Sequence, residues 1–202
     1  MNWKPIVQLS EEWKQLKAGK ISGTRFGQVI STRKNALLYE LLNEKLNGYI
    51  YDDDYESEDM AYGRENESHA IDLLEERTGI KFLRGGVILS DFSHIHMASP
   101  DGVNIEVGAI AEVKCTMKGA RQLQRFVEGP ESDKMGQIIN YFAQSDSVNV
   151  VYWASFCEFR PECELVVCEF RRKQFEKEIT AGRIGVKAIE KQLEQLEQKI
   201  TF

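Results

Sequence analysis

The feature that most restricts the fold is an apolar run, Ala109 to Thr116, with a carboxylate at its centre. Ala109-Ile110-Ala111-Glu112-Val113-Lys114-Cys115 reads as a strand. Period-2 geometry sends Glu112 and Lys114 to one face and Val113 to the other, towards a core. Carboxylates are seldom placed in such runs without a partner, because burying an unpaired charge is costly. Whatever the fold, it has to bring a cation, a metal or hydrogen-bond donors to this strand.

Just upstream lies Ser99-Pro100-Asp101-Gly102, with Asp101 in a turn that ends the preceding strand. Hard carboxylate oxygens hold Mg²⁺ or Mn²⁺ where charge building on a phosphate must be neutralised, as in phosphodiester hydrolysis. Asp101 and Glu112 would supply such oxygens, and the Val113 carbonyl could be a third ligand at the strand edge. Lys114 would stay charged beside them and orient or polarise an attacking water. A second reading stays open for the triplet alone: Asp-Gly is a common turn pair, and Glu-x-Lys on a strand is often a solvated face.

At 202 residues and 42% hydrophobic, the chain has room for one sizeable core and shows no dividing linker, so residues 1–202 read as a single domain. No run reaches the roughly 20 apolar residues of a membrane span, and the N-terminus lacks the apolar segment of a signal peptide. A soluble, cytoplasmic protein with no membrane partner is expected. Cys115, Cys157, Cys163 and Cys168 lack metal-finger spacing and read as reduced core thiols. His94 and His96 form a His-x-His pair on an expected strand, a conceivable transition-metal site with only Asp101 nearby as a third ligand.

The net charge of −6 is awkward for binding nucleic acid, but its distribution is uneven. The acidic run Asp52 to Asp59 reads as a solvated loop. Basic residues gather near the start, at Lys14, Lys17, Lys20, Arg25, Arg33 and Lys34, where they could line a DNA groove.

Ser10 with Glu11 and Glu12 predicts a helix to about Lys17, with Trp13 and Leu16 on its buried side. Thr24 is the expected N-cap of a second helix through Ile30, and a third runs from about Asn35 to Leu46. A long helix is predicted from about Glu58 to Thr78, ended by Gly79, with Ala70, Leu73 and Leu74 on its inner face. Glu67 falls on that face, so it is either a member of a site or a glutamate reaching solvent at a groove rim. Strands are expected at Ile80–Leu83, Gly86–Leu89, Ile95–Ala98, Ala109–Thr116, Val148–Phe156 and Glu164–Phe170. A helix between Ser132 and Gln144 stacks Gln137 and Tyr141 at i, i+4 as a polar pair that could face a ligand. A final helix is expected over about 171–200, repeating apolar or small residues from Phe175 to Ile200. This order suggests an α/β fold, a mixed central β-sheet flanked by helices.

Ser99-Pro100-Asp101-Gly102 with Glu112-Val113-Lys114 resembles the PD-(D/E)XK nuclease signature and its restriction-endonuclease-like core. The wider chain, from Trp13 to about Phe156, is similar to the phage lambda exonuclease family, the YqaJ-like viral recombinases. Trp13 with Lys17, then Thr24, then Gly63-Glu67-Ala70, then Gln137 with Tyr141, match its segments. The resemblance implies a Mg²⁺-dependent 5′→3′ exonuclease, with Mn²⁺ as a substitute ion. Such an enzyme acts on double-stranded DNA ends, releases mononucleotides and leaves a 3′ single strand. It also implies a ring-shaped homotrimer and a partner single-strand annealing protein in phage or prophage recombination, in the bacterial host cytoplasm.

The resemblance assigns Asp101, Glu112 and the Val113 carbonyl to the metal, and Lys114 with Glu67 to the nucleophilic water. It places Lys17, Thr24, Ser99 and Gln137 around a 5′-phosphate, with Lys17 standing where the lambda enzyme has arginine. Arg33 or Lys34 would enter the duplex groove, and Met60 would be an apolar wedge or else a core residue. Three alternatives remain beside this reading: a sequence-specific endonuclease of the same fold, a Cas4-like nuclease with an iron–sulfur cluster, and a non-catalytic DNA-end-binding module.

Overall fold

The computed structural model describes residues 1–29, 34–50 and 57–200. In chain order, β1 (Asn2–Lys4) precedes α1 (Glu11–Lys17), α2 (Gly23–Val29), α3 (Lys34–Asn47) and α4 (Glu58–Thr78). The short strands β2 (Leu83–Arg84), β3 (Val87–Leu89), β4 (Met97–Ala98) and β5 (Gly102–Asn104) follow, and then β6 (Ala109–Cys115). Helices α5 (Gly119–Glu128) and α6 (Ser132–Gln144) lead to β7 (Val150–Phe156), β8 (Leu165–Arg171) and α7 (Glu176–Ile200).

The apolar run becomes the centre of the principal sheet, whose order is β2-β5-β6-β7-β8. β6 and β7 are parallel and the remaining pairs antiparallel, so this is a mixed five-stranded sheet. The parallel pair needs a crossover, and α5 and α6 provide it. A smaller antiparallel sheet, β1-β3-β4, stands apart. Period 2 sorts the β6 side chains as expected. Ala109, Ala111 and Val113 pack with Ala70, Ile71 and Leu74 of α4. Ile110 joins the opposite core with residues of α2, α3, α6 and α7. The fold is therefore α/β, with helices on both faces of a mixed sheet.

Helix α4 runs from Glu58 to Thr78 as predicted, because both ends are signalled locally. The Ser57 side chain accepts from the Met60 N–H, and Gly79 takes the left-handed conformation (φ 71°) that other residues resist. Its buried residues include Ala70 and Leu74 but also Ile71 and Glu75, whereas Leu73 is only partly covered. Helix α6 also has its predicted limits.

Other elements differ. Thr24 is not an N-cap: α2 begins at Gly23, and the Ser22 carbonyl accepts from Phe26 N–H at 2.9 Å. The chain from 171 is not yet helical, since β8 continues to Arg171 and a 3₁₀ turn spans Arg172–Gln174. Helix α7 then packs on the body through Ile179, Val186, Ile189 and Leu193. Helix α5 fills an interval where no element was expected, because it is amphipathic in the inverted sense. It buries Gln122 and Arg125 and exposes Leu123, Phe126 and Val127. Gln122 donates to the Ser155 and Cys163 carbonyls, and Arg125 to the Ser155 hydroxyl and Glu131, so the polar face is satisfied inside.

Helix α2 is the short element on which the site depends, and glycines set its position. A Cβ on Gly136 of α6 would lie 3.2 Å from Gly27 Cα, and one on Gly182 of α7 only 2.3 Å from the Phe26 ring. Helix α6 therefore meets α2 backbone to backbone, and α7 closes directly on the Phe26 and Val29 side chains of α2. His96 completes this packing, stacked on Phe26 at 5.4 Å between ring centroids and hydrogen-bonded to Asn140 at 2.7 Å.

Two outcomes follow from this packing. Gly182→Val should cost about 1–3 kcal/mol, the usual penalty of overpacking, measured by chemical denaturation; unchanged stability would contradict the close approach. Burial lowers the His96 pKa to about 4 from an ordinary 6.5. The unfolded chain therefore takes up this proton first, and stability should fall as pH drops through that window, by up to about 1.4 kcal/mol per pH unit. Comparing acid unfolding of the parent with His96→Gln isolates the effect, which the variant should lack.

Candidate active site

Glu112 leaves β6 on the face opposite α4, and only 1% of it is exposed. Lys114 Nζ donates to Glu112 Oε1, and the Tyr141 hydroxyl of α6 donates to Oε2. Asp101, immediately before β5, is held against the same strand end. Its N–H donates to the Ala111 carbonyl at 3.2 Å, and its Oδ2 accepts from Val113 N–H at 2.6 Å. A strand residue directs its N–H and C=O to the same edge, so the Val113 carbonyl also points to the side of Asp101, where β5 pairing with β6 has ended at Ala111.

These charges are crowded and dry. Burial, followed by neighbouring Glu112, raises the Asp101 carboxyl well above the usual carboxylate range. Burial also raises Glu67, with Lys114 opposing and Glu112 adding to the shift. Burial works against the Lys114 ammonium, yet Glu112 and Asp101 outweigh it and keep the group protonated. Cys115 alongside is pushed up to about 12, by burial first and then by Glu67, so its thiol is no nucleophile. All four cysteines are free thiols, but only Cys157 and Cys163 lie in the core; Cys115 and Cys168 are half-buried.

Three carboxylates thus face one ammonium. Among the described residues no three or more histidine, cysteine, aspartate or glutamate side chains form a ready-made metal cage. Two carboxylates and a carbonyl nevertheless suit a small hard cation that keeps several waters, and the surplus negative charge favours one. Asp101, Glu112 and Val113 are the residues able to hold it.

A pocket of about 100 Å³ lies next to this cluster, and Lys17, Thr24, Ser99 and Gln137 all line it, together with Trp13 and Tyr141. Four positions separated widely in sequence therefore converge. Trp13 organises two of them, a role the sequence reading missed. Its indole N–H donates to Ser99 Oγ at 2.8 Å, and Lys17 Nζ sits 4.3 Å from its ring centroid. The signal was present, since Trp13 and Lys17 are four apart on α1. Because Ser99 Oγ accepts from the indole, its own proton is free to be donated elsewhere. The wall between α2 and α6 is tight, with a Cβ at Gly23 lying 2.9 Å from Gln137 Cγ.

Several expected residues lie elsewhere. Arg33 and most of the acidic run, residues 52–56, fall outside the described residues. Lys34 opens α3, and Met60, 56% exposed, lies in the first turn of α4 rather than in the core. The His-x-His site is not formed. His94 lies outside the strand and pairs with Glu190 at 2.8 Å, while His96 is buried against Asn140. Arg25 is engaged with Glu44, so it serves the fold rather than a groove.

The model of the YqaJ-like viral recombinase domain matches residues 12–147. The chain belongs to this family. The match spans the carboxylate cluster and, of the pocket, Trp13, Lys17, Thr24, Ser99, Gln137 and Tyr141. Among solved structures, the chain resembles the alkaline exonuclease LHK-Exo from Laribacter hongkongensis, with a TM-score of 0.77 at 23% identity over 94% of this chain and 97% of that one. The LHK-Exo complex with dAMP gives 0.76 at 22% identity over the same shares. A phage-related exonuclease from Haemophilus somnus 129PT gives 0.63 at 15% identity, over 90% of this chain and 96% of that one. No match was found among curated proteins. The family is one of viral recombinases, and the solved exonucleases share this chain's fold. Among the described residues no helix is long and apolar enough to cross a membrane.

Crowded carboxylates burden the fold when no cation is supplied. Asp101→Asn should therefore melt a few degrees above the parent in chelator, on the roughly 2–4 °C per kcal/mol expected for a chain of this size. A variant that melts below the parent would show that the charges are already balanced.

Proposed function

We propose that this YqaJ-family protein is a divalent-metal-dependent 5′→3′ exonuclease that digests one strand of double-stranded DNA from its ends to mononucleotides, leaving 3′ overhangs. The observation that carries the reading is the contiguity of two sites. Ser99 lines the small polar pocket, and Asp101, two residues on, belongs to the carboxylate cluster. A terminal phosphate in the pocket would set the next phosphodiester against the carboxylates, so that cutting is measured from a 5′ end.

Asp101, Glu112 and the Val113 carbonyl would hold Mg²⁺, or Mn²⁺ in its place. When bound, the ion supplies charge neutralisation on the scissile phosphate and a more acidic water. Lys114 orients that water through its ammonium, and Glu67 borders the same space as a partner for the water's proton. Ser99, Thr24 and Gln137 offer hydrogen bonds to the terminal phosphate and Lys17 a charge. Lysine is a point charge rather than a planar fork, so the phosphate is held less rigidly than by arginine. The pocket's small size and polar lining suit a tetrahedral oxyanion. The resemblance to LHK-Exo, solved with dAMP, supports a mononucleotide as product.

Arg33, Lys34 and Met60 are carried as DNA contacts on the family resemblance. A homotrimeric ring, a single-strand annealing partner and a place in the host cytoplasm belong to the same proposal.

Asp101→Ala and Lys114→Ala should each lower Mg²⁺-dependent digestion of linear duplex by about 10²–10³ or more, with DNA binding largely kept; unchanged activity in either contradicts the mechanism. Closed circular DNA should stay intact, and its cutting would favour an endonuclease. Lys17→Ala should reduce the preference for 5′-phosphorylated over 5′-hydroxyl ends about tenfold, the scale of one hydrogen bond to a charged group. An unaltered preference would remove Lys17 from the pocket.

A further inference from the structure

Tyr141 belongs to both halves of the site. Its ring is 1% exposed on α6, and its hydroxyl reaches Glu112 Oε2, with the Ser99 carbonyl at 3.4 Å and the Gln137 side-chain amide donating to it from 3.5 Å. A phenol has a single proton to give, and a carboxylate is the stronger acceptor, so that proton goes to Glu112. The phenol oxygen is then left to accept from Gln137. One continuous chain results, from pocket wall to Gln137, to Tyr141, to Glu112.

The geometry points to Tyr141 as a positioning residue that couples occupancy of the phosphate pocket to the orientation of the Glu112 carboxylate. This inference rests on the reading of the pocket as a 5′-phosphate site. An oxyanion bound by Gln137 fixes that side chain. Gln137 in turn fixes the Tyr141 hydroxyl one helical turn away, and the hydroxyl holds Glu112 Oε2. The other Glu112 oxygen is thereby kept beside Lys114, ready for a cation. The 3.5 Å separation of Gln137 and Tyr141 is a loose contact, the kind that a ligand tightens. Coupling between two sites is reciprocal, so a cation at the carboxylates must also strengthen binding of a phosphorylated end.

The test is a binding measurement, by fluorescence anisotropy, on labelled duplex ends bearing a 5′-phosphate or a 5′-hydroxyl. Each is titrated in chelator and in Ca²⁺, which serves as a cation that does not support rapid cutting. In the parent protein the advantage of the phosphorylated end should grow about fivefold or more when Ca²⁺ is added, within the usual range of coupling between sites. In Tyr141→Phe the phosphorylated end should keep an advantage, because the pocket is intact, but its growth with Ca²⁺ should shrink about threefold or more. Gln137→Met cuts the same chain at its pocket end and should shrink that growth too, which decides the matter if Tyr141→Phe folds poorly in a thermal melt. Growth equal to the parent's in a folded Tyr141→Phe overturns the coupling. A parent protein with a phosphate advantage that ignores Ca²⁺ overturns it as well, while the pocket survives. A parent with no phosphate advantage at all overturns the reading of the pocket itself.

Discussion

Burying Glu112 and Asp101 together at the end of β6 is the constraint around which the molecule is arranged. Like charges in a low-dielectric setting repel strongly, and one ammonium cannot balance two or three carboxylates. Each neighbour works on that problem. Val113 N–H donates to Asp101, the Tyr141 hydroxyl and Lys114 donate to Glu112, and the parallel β6–β7 pair keeps the strand rigid beneath them. The remaining negative charge is what would give the cluster an affinity for a cation, as the proposed function requires. A site fully balanced by protein groups would be more stable and would do less.

The second half of the site depends on close helix packing rather than on charge. Gly27, Gly136, Gly182 and Gly185 let α2 sit directly against α6 and α7. That places Thr24 across a narrow gap from Gln137. Trp13, buried under α1, then brings Lys17 and Ser99 to the same opening. Backbone contiguity joins the two halves through Ser99-Pro100-Asp101, and Tyr141 joins them through side chains.

What could be read from the sequence follows from how local each signal is. Helices α4 and α6 carry their own limits in periodicity, and α4 also in its caps, so they were legible to the residue. Glu112, Lys114 and Val113 were legible because strand period alone decides their faces. Two-to-three-residue strands such as β1 and β5 have no pattern of their own and exist only through their partners. Helix α5 was hidden because Gln122 and Arg125 point inward, the reverse of what hydrophobic patterning assumes. The His94–His96 pair misled for a related reason: a shared face requires both residues to be in one strand, and only tertiary pairing shows that β4 starts later. Convergence of Lys17, Thr24, Ser99 and Gln137 was available only from family resemblance, since no local rule relates positions so far apart.

Surplus buried carboxylate charge at Asp101 and Glu112 is proposed to hold a divalent cation next to the small polar pocket. Anomalous scattering from crystals grown with Mn²⁺ tests it most directly. A strong Mn²⁺ peak is expected in contact with the Asp101 and Glu112 carboxylates and the Val113 carbonyl. A peak confined to other groups, such as Glu190 with His94, or none at β6 under saturating Mn²⁺, would contradict it.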